Sequence, residues 1–499
     1  MIFLLATSTL LHGTYIYNPH LNIISEAKMR VRRIIPVICV GLLLFNAGIG
    51  GMGDVRHAAS GDSVQISETP GNDAYELLII APAAFVEALG PLVAHKEHQG
   101  VATKLVSLDE IYGGTYFSVN GRDDAEKIKY FIKNAIEEWG IEYVMLVGGR
   151  KPSVTSEEWW LPVRYSHIED NVATREDRFV SDLYFADIYD ETGNFSDWDT
   201  NGNGVFSEWL ANRPADDIMD LYPDVCVGRL PCRNAFEVGI MVNKIIAYES
   251  RKCPDSWFRK MVVVGGDTYT DNDYYEGEVA TQEALDRMPG FEPVRLWTSD
   301  GSLTGWRDII RAFNEGCGFI YFAGHGSPTT WATHPPYDEE TWIYGLQTFQ
   351  MPLLSNGDML PVCVVGGCHN SMFNISIFHS TWTFGLPVME CWSWRLTRSI
   401  RGGAIATLGC TGLGYGKEDK QGPVKEGAGD WLNTLFFEEY GMEGIHMLGE
   451  AWAGAITSYL NQFPVDYTRR AFDDTALDAK TVQEWVLLGD PSLKIGGYE

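Results

Sequence analysis

Short apolar runs, most of them ending in glycine, recur along the chain from residue 75 onward. In the first half they are Tyr75-Glu-Leu-Leu-Ile-Ile-Ala81, Val101–Leu108 and Tyr143-Val-Met-Leu-Val-Gly-Gly149; in the second, Met261-Val-Val-Val-Gly-Gly266, Gly318-Phe-Ile-Tyr-Phe-Ala-Gly324, Leu360-Pro-Val-Cys-Val-Val-Gly-Gly367 and Ala404-Ile-Ala-Thr-Leu-Gly409. They are rich in β-branched and aromatic residues and do not alternate apolar with polar, the pattern of strands buried on both faces of a parallel sheet. The segments Pro82–Gln99, Asp124–Trp139, Phe236–Glu249 and Gly444–Gln462 read as helices. This β-α-β alternation predicts an α/β fold. The first series ends near residue 250, so an N-terminal α/β unit over 74–250 and a C-terminal one over 251–499 are expected, after a Gly/Ser/Asp-rich linker or pro-segment at 52–73.

Two of the runs open onto reactive side chains. Gly318–Gly324 delivers His325, and Leu360–Gly367 delivers Cys368. A thiol attacking a carbonyl needs an imidazole to take its proton and free backbone N–H groups to meet the oxyanion. Gly324, Gly326, Gly366 and Gly367 flank the pair and let the main chain approach a substrate closely. The N–H groups of Gly326 and Cys368 are the candidate oxyanion donors. Taken singly, a buried cysteine is a small hydrophobe and a histidine after a strand a loop residue; together, at two matching strand ends, they point to nucleophilic catalysis.

The segment Tyr321-Phe-Ala-Gly-His-Gly-Ser327, with Thr330-Trp331 and the run into Cys368, resembles the gingipain family of cysteine peptidases. Ser181-Asp-Leu-Tyr184 with Asp187, Val227-Gly-Arg-Leu-Pro231 and Leu487-Leu-Gly-Asp-Pro-Ser-Leu493 agree in order and spacing, from about residue 75 to the end. The resemblance implies two side-by-side caspase-like subdomains with mainly parallel sheets flanked by helices, and hydrolysis of peptide bonds through a thioester. It implies His325 as base and Cys368 as nucleophile, with Asp267 after the strand Met261–Gly266 as the acid that orients the imidazole. It also implies an acid in the pocket for the residue before the scissile bond, for which Glu278 is the nearest match and Glu276 the alternative; Tyr415 is a candidate wall. Such a carboxylate would favour a basic side chain, although this Asp- and Tyr-rich segment could equally face solvent. A transpeptidase or another thioester-forming enzyme on the same scaffold, and a catalytically silent binding protein, stay open as alternatives.

A second constellation carries different chemistry. Asp197-Trp-Asp199-Thr-Asn201-Gly202-Asn203-Gly-Val-Phe-Ser-Glu208 puts oxygen ligands at loop positions 1, 3 and 5, glycine at 6 and Glu at 12, the order of an EF-hand calcium loop. The carbonyl of Asn203 would complete the shell. Position 8 is Gly204 rather than an apolar residue, and no amphipathic helix precedes the loop, so a structural Ca²⁺ site is expected rather than a sensor. No organic cofactor is expected, and zinc spacing is not present in convincing form among His325, His334, Cys363, Cys368 and His369.

Lys+Arg 38 against Asp+Glu 67 gives a net charge of −29, which excludes nucleic-acid binding through a basic surface and suits protein or peptide substrates that are cationic. Lys28-Met-Arg-Val-Arg-Arg33 followed by the apolar run Ile34–Phe45 and a small-residue stretch reads as a secretory leader within 1–51, with Met29 a plausible start. A secreted or extracytoplasmic protein is expected; an uncleaved leader would anchor it to a membrane. Of nine cysteines, Cys226 and Cys232 form the close pair worth testing for a bridge, and most of the rest read as buried thiols. Oligomeric state is not legible.

Overall fold

The order of the strands, not their number, is what brings the candidate residues to one edge. The computed structural model describes residues 74–498 apart from 153–155, 171–175, 376–382, 384–387 and 417–426; the leader and linker readings at 1–73 lie outside the described residues. A four-stranded parallel sheet runs in the order Thr103–Ser107, Leu77–Ala81, Tyr143–Val147, Cys226–Leu230. A six-stranded sheet runs Glu292–Trp297, Lys260–Gly265, Phe319–Phe322, Val362–Val365, Ala406–Cys410, Trp485–Leu488. It is parallel except for its last strand, which pairs antiparallel with Ala406–Cys410. The fold is thus mixed α/β with two mainly parallel sheets, as the apolar runs foretell.

Each predicted strand forms within two residues of its expected ends. Helix Asp124–Trp139 starts where the Asp123 side chain accepts the N–H of Glu126 and stops at Gly140, which turns left-handed at φ 72°. Pro91 lies inside the helix Val86–His98 and does not end it. The helix foreseen at Gly444–Gln462 begins later, at Leu448. The edge strand Glu292–Trp297 and the last strand Trp485–Leu488 escaped the sequence reading, as did a three-stranded antiparallel sheet of His325–Ser327, Thr330–Thr333 and Ile343–Gln347.

Side chains of the six-stranded sheet divide by period two. Met261, Val263, Phe319, Tyr321, Val362 and Val364 enter the main core, which also holds the four-stranded sheet. Val262, Val264, Ile320, Phe322, Cys363 and Val365 enter a second cluster closed by Trp331 and Trp392. Three of the motifs that support the family resemblance turn out to be structural. Arg229 forms a bidentate pair with Asp182, with Nε to Oδ2 and Nη2 to Oδ1 both 2.7 Å, and donates to the Gly148 carbonyl at 3.0 Å. Asp490 meets the buried Lys96 ammonium at 2.8 Å, and Lys96 also pairs with Glu249 at 2.9 Å. A Cβ on Gly228 would come within 2.6 Å of the Gly489 carbonyl oxygen, so the two backbones touch where the strands Cys226–Leu230 and Trp485–Leu488 meet. All eight described cysteines are free. Cys226 opens the extended strand Cys226–Leu230 and Cys232 lies beyond its other end, so the length of the strand keeps the two apart.

Candidate functional site

His325 and Cys368 leave neighbouring parallel strands, Phe319–Phe322 and Val362–Val365, at the same sheet edge. Their backbones then come into contact. A Cβ on Gly326 would lie 2.5 Å from the Gly367 carbonyl carbon and 2.6 Å from the Cys368 oxygen; one on Gly367 would lie 2.9 Å from Gly326 Cα. Glycine at both positions is therefore a packing requirement of this approach. Asn370, which the sequence reading passed over, staples the two elements: its Nδ2 donates to Ser327 O at 2.7 Å and to Thr330 O at 3.0 Å. Directly after the cysteine, His369 adopts the left-handed region at φ 58°, a conformation seldom found outside turns and functional sites. Its N–H donates to Gly412 O at 2.9 Å, and its Nε2 meets Glu176 Oε1 at 2.8 Å.

His325 Nε2 lies 3.0 Å from the Thr268 carbonyl oxygen. A carbonyl only accepts, so this bond assigns the proton to Nε2 and leaves Nδ1 as the basic nitrogen. Trp342 and His334 pack on the imidazole with ring centroids 5.2 and 5.6 Å away. Asp267, the acid expected to orient His325, makes other hydrogen bonds: its Oδ2 accepts the N–H of Tyr337 at 2.8 Å, and its backbone bridges to His334. Its Oδ1 is buried with no hydrogen-bond partner among the described residues, and burial raises the carboxyl above its usual range.

Cys368 is 4% exposed, and its thiol points to the Gly414 carbonyl oxygen at 3.4 Å. Burial first, then the nearby Glu484, pushes it up to about 12, so it rests as a thiol. Beneath it Lys480 is shared by Glu176 at 3.1 Å, Asp170 at 3.4 Å and Glu484 at 3.5 Å, and donates to Leu413 O at 2.7 Å. Lys480 and His369 hold Glu176 down at about 2 against its burial. No sequence proximity announces this cluster, because its members come from three distant segments. The Cys368 N–H makes no hydrogen bond among the described residues, which suits an oxyanion donor.

The candidate pocket residues have separate surroundings. Glu278 is buried in the first turn of the helix Glu276–Asp286, accepting from Ser299 N at 2.9 Å and Ser299 Oγ at 2.5 Å. Glu276 Oε2 accepts the N–H groups of Thr268 at 3.1 Å and Tyr269 at 3.0 Å, and Oε1 accepts Asn272 Nδ2 at 2.5 Å. Burial lifts Glu276 to about 7. The Tyr415 ring is buried with Lys480 Nζ 5.0 Å from its centroid.

The 197–208 loop folds on itself. Asp199 accepts Asn203 N at 2.9 Å and Gly204 N at 3.0 Å, Asn201 Oδ1 accepts Asn203 N at 2.9 Å, and Asn203 Nδ2 donates to Glu208 at 2.6 Å. The Arg122 guanidinium bridges Asp197 at 2.6 Å and Asp199 at 2.9 Å. Among the described residues no group of three or more His, Cys, Asp or Glu is arranged to hold a metal. An internal cation thus meets two of the candidate ligating acids, and a calcium ion would have to displace it.

A histidine and a cysteine carried to one edge of a parallel sheet by adjacent strands define the caspase-like class of cysteine hydrolase folds. Residues 71–496 match the profile of peptidase family C25. The chain belongs to that family, the gingipain-type cysteine peptidases. Gingipain R2 of Porphyromonas gingivalis strain W83 is 20% identical over 432 residues, which are 84% of this chain and 46% of the relative. Gingipain R2 of strain ATCC 33277 is 21% identical over 287 residues, 55% of this chain and 33% of the relative. The chain thus spans a third to a half of the length of these two relatives. The crystal structure of the Arg specific cysteine proteinase gingipain R superposes with a TM-score of 0.57 at 17% identity, covering 86% of this chain and 79% of that one. The complex of the Porphyromonas gingivalis RgpB pro- and mature domains gives 0.53 at 17% identity, covering 84% and 79%.

Proposed function

We propose that this chain is an extracytoplasmic cysteine endopeptidase in which Cys368 is the nucleophile and His325 Nδ1 its base. The contact of the Gly326 and Gly367 backbones carries the reading, because it sets the imidazole and the thiol on adjoining turns. The thiol leaves the Gly414 carbonyl and passes its proton to Nδ1 as sulfur adds to the peptide carbonyl carbon. The oxyanion is met by the N–H groups of Gly326 and Cys368. Collapse of the adduct breaks the C–N bond, the amine leaves with the proton from the imidazolium, and water then hydrolyses the thioester. The leader-like segment before residue 52 supports export; among the described residues no helix is long and apolar enough to cross a membrane. A preference for a basic residue before the scissile bond rests on Glu278 and on the Arg specificity of gingipain R. The loop 197–208 is proposed as a structural calcium site from its ligand order.

A silent relative has one observation in its favour: the thiol is buried and held protonated. Cleavage of a peptide library varied before the scissile bond, with calcium and reductant, separates the readings. Loss of cleavage in Cys368→Ala is expected; cleavage that survives this change sinks the dyad, and a wild type with no cleavage after removal of residues 1–73 supports the silent relative. An added amine that captures the acyl group in preference to water would instead identify a transpeptidase.

A further inference from the structure

Glu276 is buried, charged above neutrality, and spends both carboxylate oxygens on one loop. Tyr269 N–H and the Thr268 carbonyl belong to the same peptide unit. The carboxylate therefore accepts from the amide end of the group whose carbonyl end accepts from His325 Nε2, at 3.0 Å on each side. Hydrogen bonds in series polarise one another, so negative charge at Glu276 strengthens the Thr268 carbonyl as an acceptor and favours the imidazolium. The relay is rigid at its base: a Cβ on Gly277 would lie 2.5 Å from Ala323 O, and one on Gly265 2.5 Å from Gly277 O, so the start of the helix is seated on the ends of the two strands that flank His325.

We propose that Glu276 is a positioning residue for the reaction, holding His325 in its Nε2–H tautomer and stabilising its charged form through the Thr268–Tyr269 peptide. The inference rests on the Cys368–His325 reading above. It takes over the role expected of Asp267, whose carboxylate faces Tyr337 and His334. The other groups around the relay are Asn272 and Asp267 beside Glu276, and His334, Trp342 and Tyr269 beside His325.

The test is the pH dependence of Cys368 alkylation by iodoacetamide on the intact chain from pH 4 to 10, with Cys368→Ala as blank. A thiolate paired with imidazolium reacts at lower pH than a lone thiol. Glu276→Gln keeps the shape and removes the charge, and is expected to lower the alkylation rate about tenfold between about pH 7 and 9, where Glu276 is ionised and favours the thiolate–imidazolium pair over the neutral pair, with the rate below about pH 6 left near wild type. Where peptide cleavage is measured in the same range, kcat should fall with KM nearly unchanged. Glu276→Asp, one methylene shorter, should lower the rate by less and serves if the glutamine variant does not fold. A rate above neutrality unchanged in both variants, or lowered by Asp267→Asn instead, overturns the inference while leaving the dyad standing. A rate in that range unmoved by His325→Ala removes the dyad itself, and the relay with it.

Discussion

Gly326→Ala tests whether backbone contact is what assembles the site. The added Cβ meets the Gly367 carbonyl carbon at 2.5 Å, Asn370 Oδ1 at 2.6 Å and Cys368 O at 2.6 Å, and two of these three are main chain that cannot rotate away. Ordinary contact starts near 3.4 Å, so the histidine hairpin and the cysteine turn must part by about 0.9 Å. Overpacking of this kind costs about 1–3 kcal/mol. In a chain of this size that lowers the melting temperature by only about 1–3 °C. The same displacement between reacting groups costs on the order of 100-fold in rate. The expected outcome is a variant that melts close to wild type yet cleaves peptide, and alkylates at Cys368 near neutral pH, about 100-fold more slowly. Thermal melting by circular dichroism and single-turnover kinetics on one preparation read both quantities. Wild-type kinetics in Gly326→Ala would refute the argument, as would a rate loss that only tracks unfolding.

Asn370→Ala removes two bonds and leaves the Ser327 and Thr330 carbonyls without this donor, an expected cost of about 2–4 kcal/mol in urea unfolding, with slower Cys368 chemistry. Arg229→Met strands Asp182 as a buried unpaired acid and should cost about 3–5 kcal/mol. Glu176 is held at about 2 in the fold against 4.5 as its ordinary value, so its ionisation stabilises the fold above about pH 4.5 and that contribution is lost as pH falls through about 2. Glu176→Gln should therefore be less stable by about 3 kcal/mol at pH 6, with the gap closing as pH falls between those values. Isothermal titration with calcium should show one site that tightens in Arg122→Ala and vanishes in Asp199→Ala; no heat in the wild type and no change in melting with chelator would refute the calcium reading.

Sequence pattern alone determined the buried strands that lead to the site, the mainly parallel character of the sheets and which histidine and cysteine stand at their ends; the edge strands and the antiparallel hairpins left no such pattern. Apolar runs buried on both faces leave a period and composition that survive without neighbours, and a histidine and a cysteine after such runs are visible as text. What it did not determine was who touches whom. Asp267 follows its strand as an orienting acid would, yet the turn sends its carboxylate to Tyr337 and puts the Thr268 carbonyl, a backbone atom with no signature, on His325. Glu276 and Glu278 differ by two positions and so leave their helix in different directions, one to the loop at 268–269 and the other to Ser299. The Lys480 cluster under Cys368 joins residues hundreds of positions apart, and the loop at 197–208 has the ligand order of a calcium site but receives Arg122 from another element. Such outcomes depend on distances set by long-range packing, and the linear spacing of residues carries no record of them.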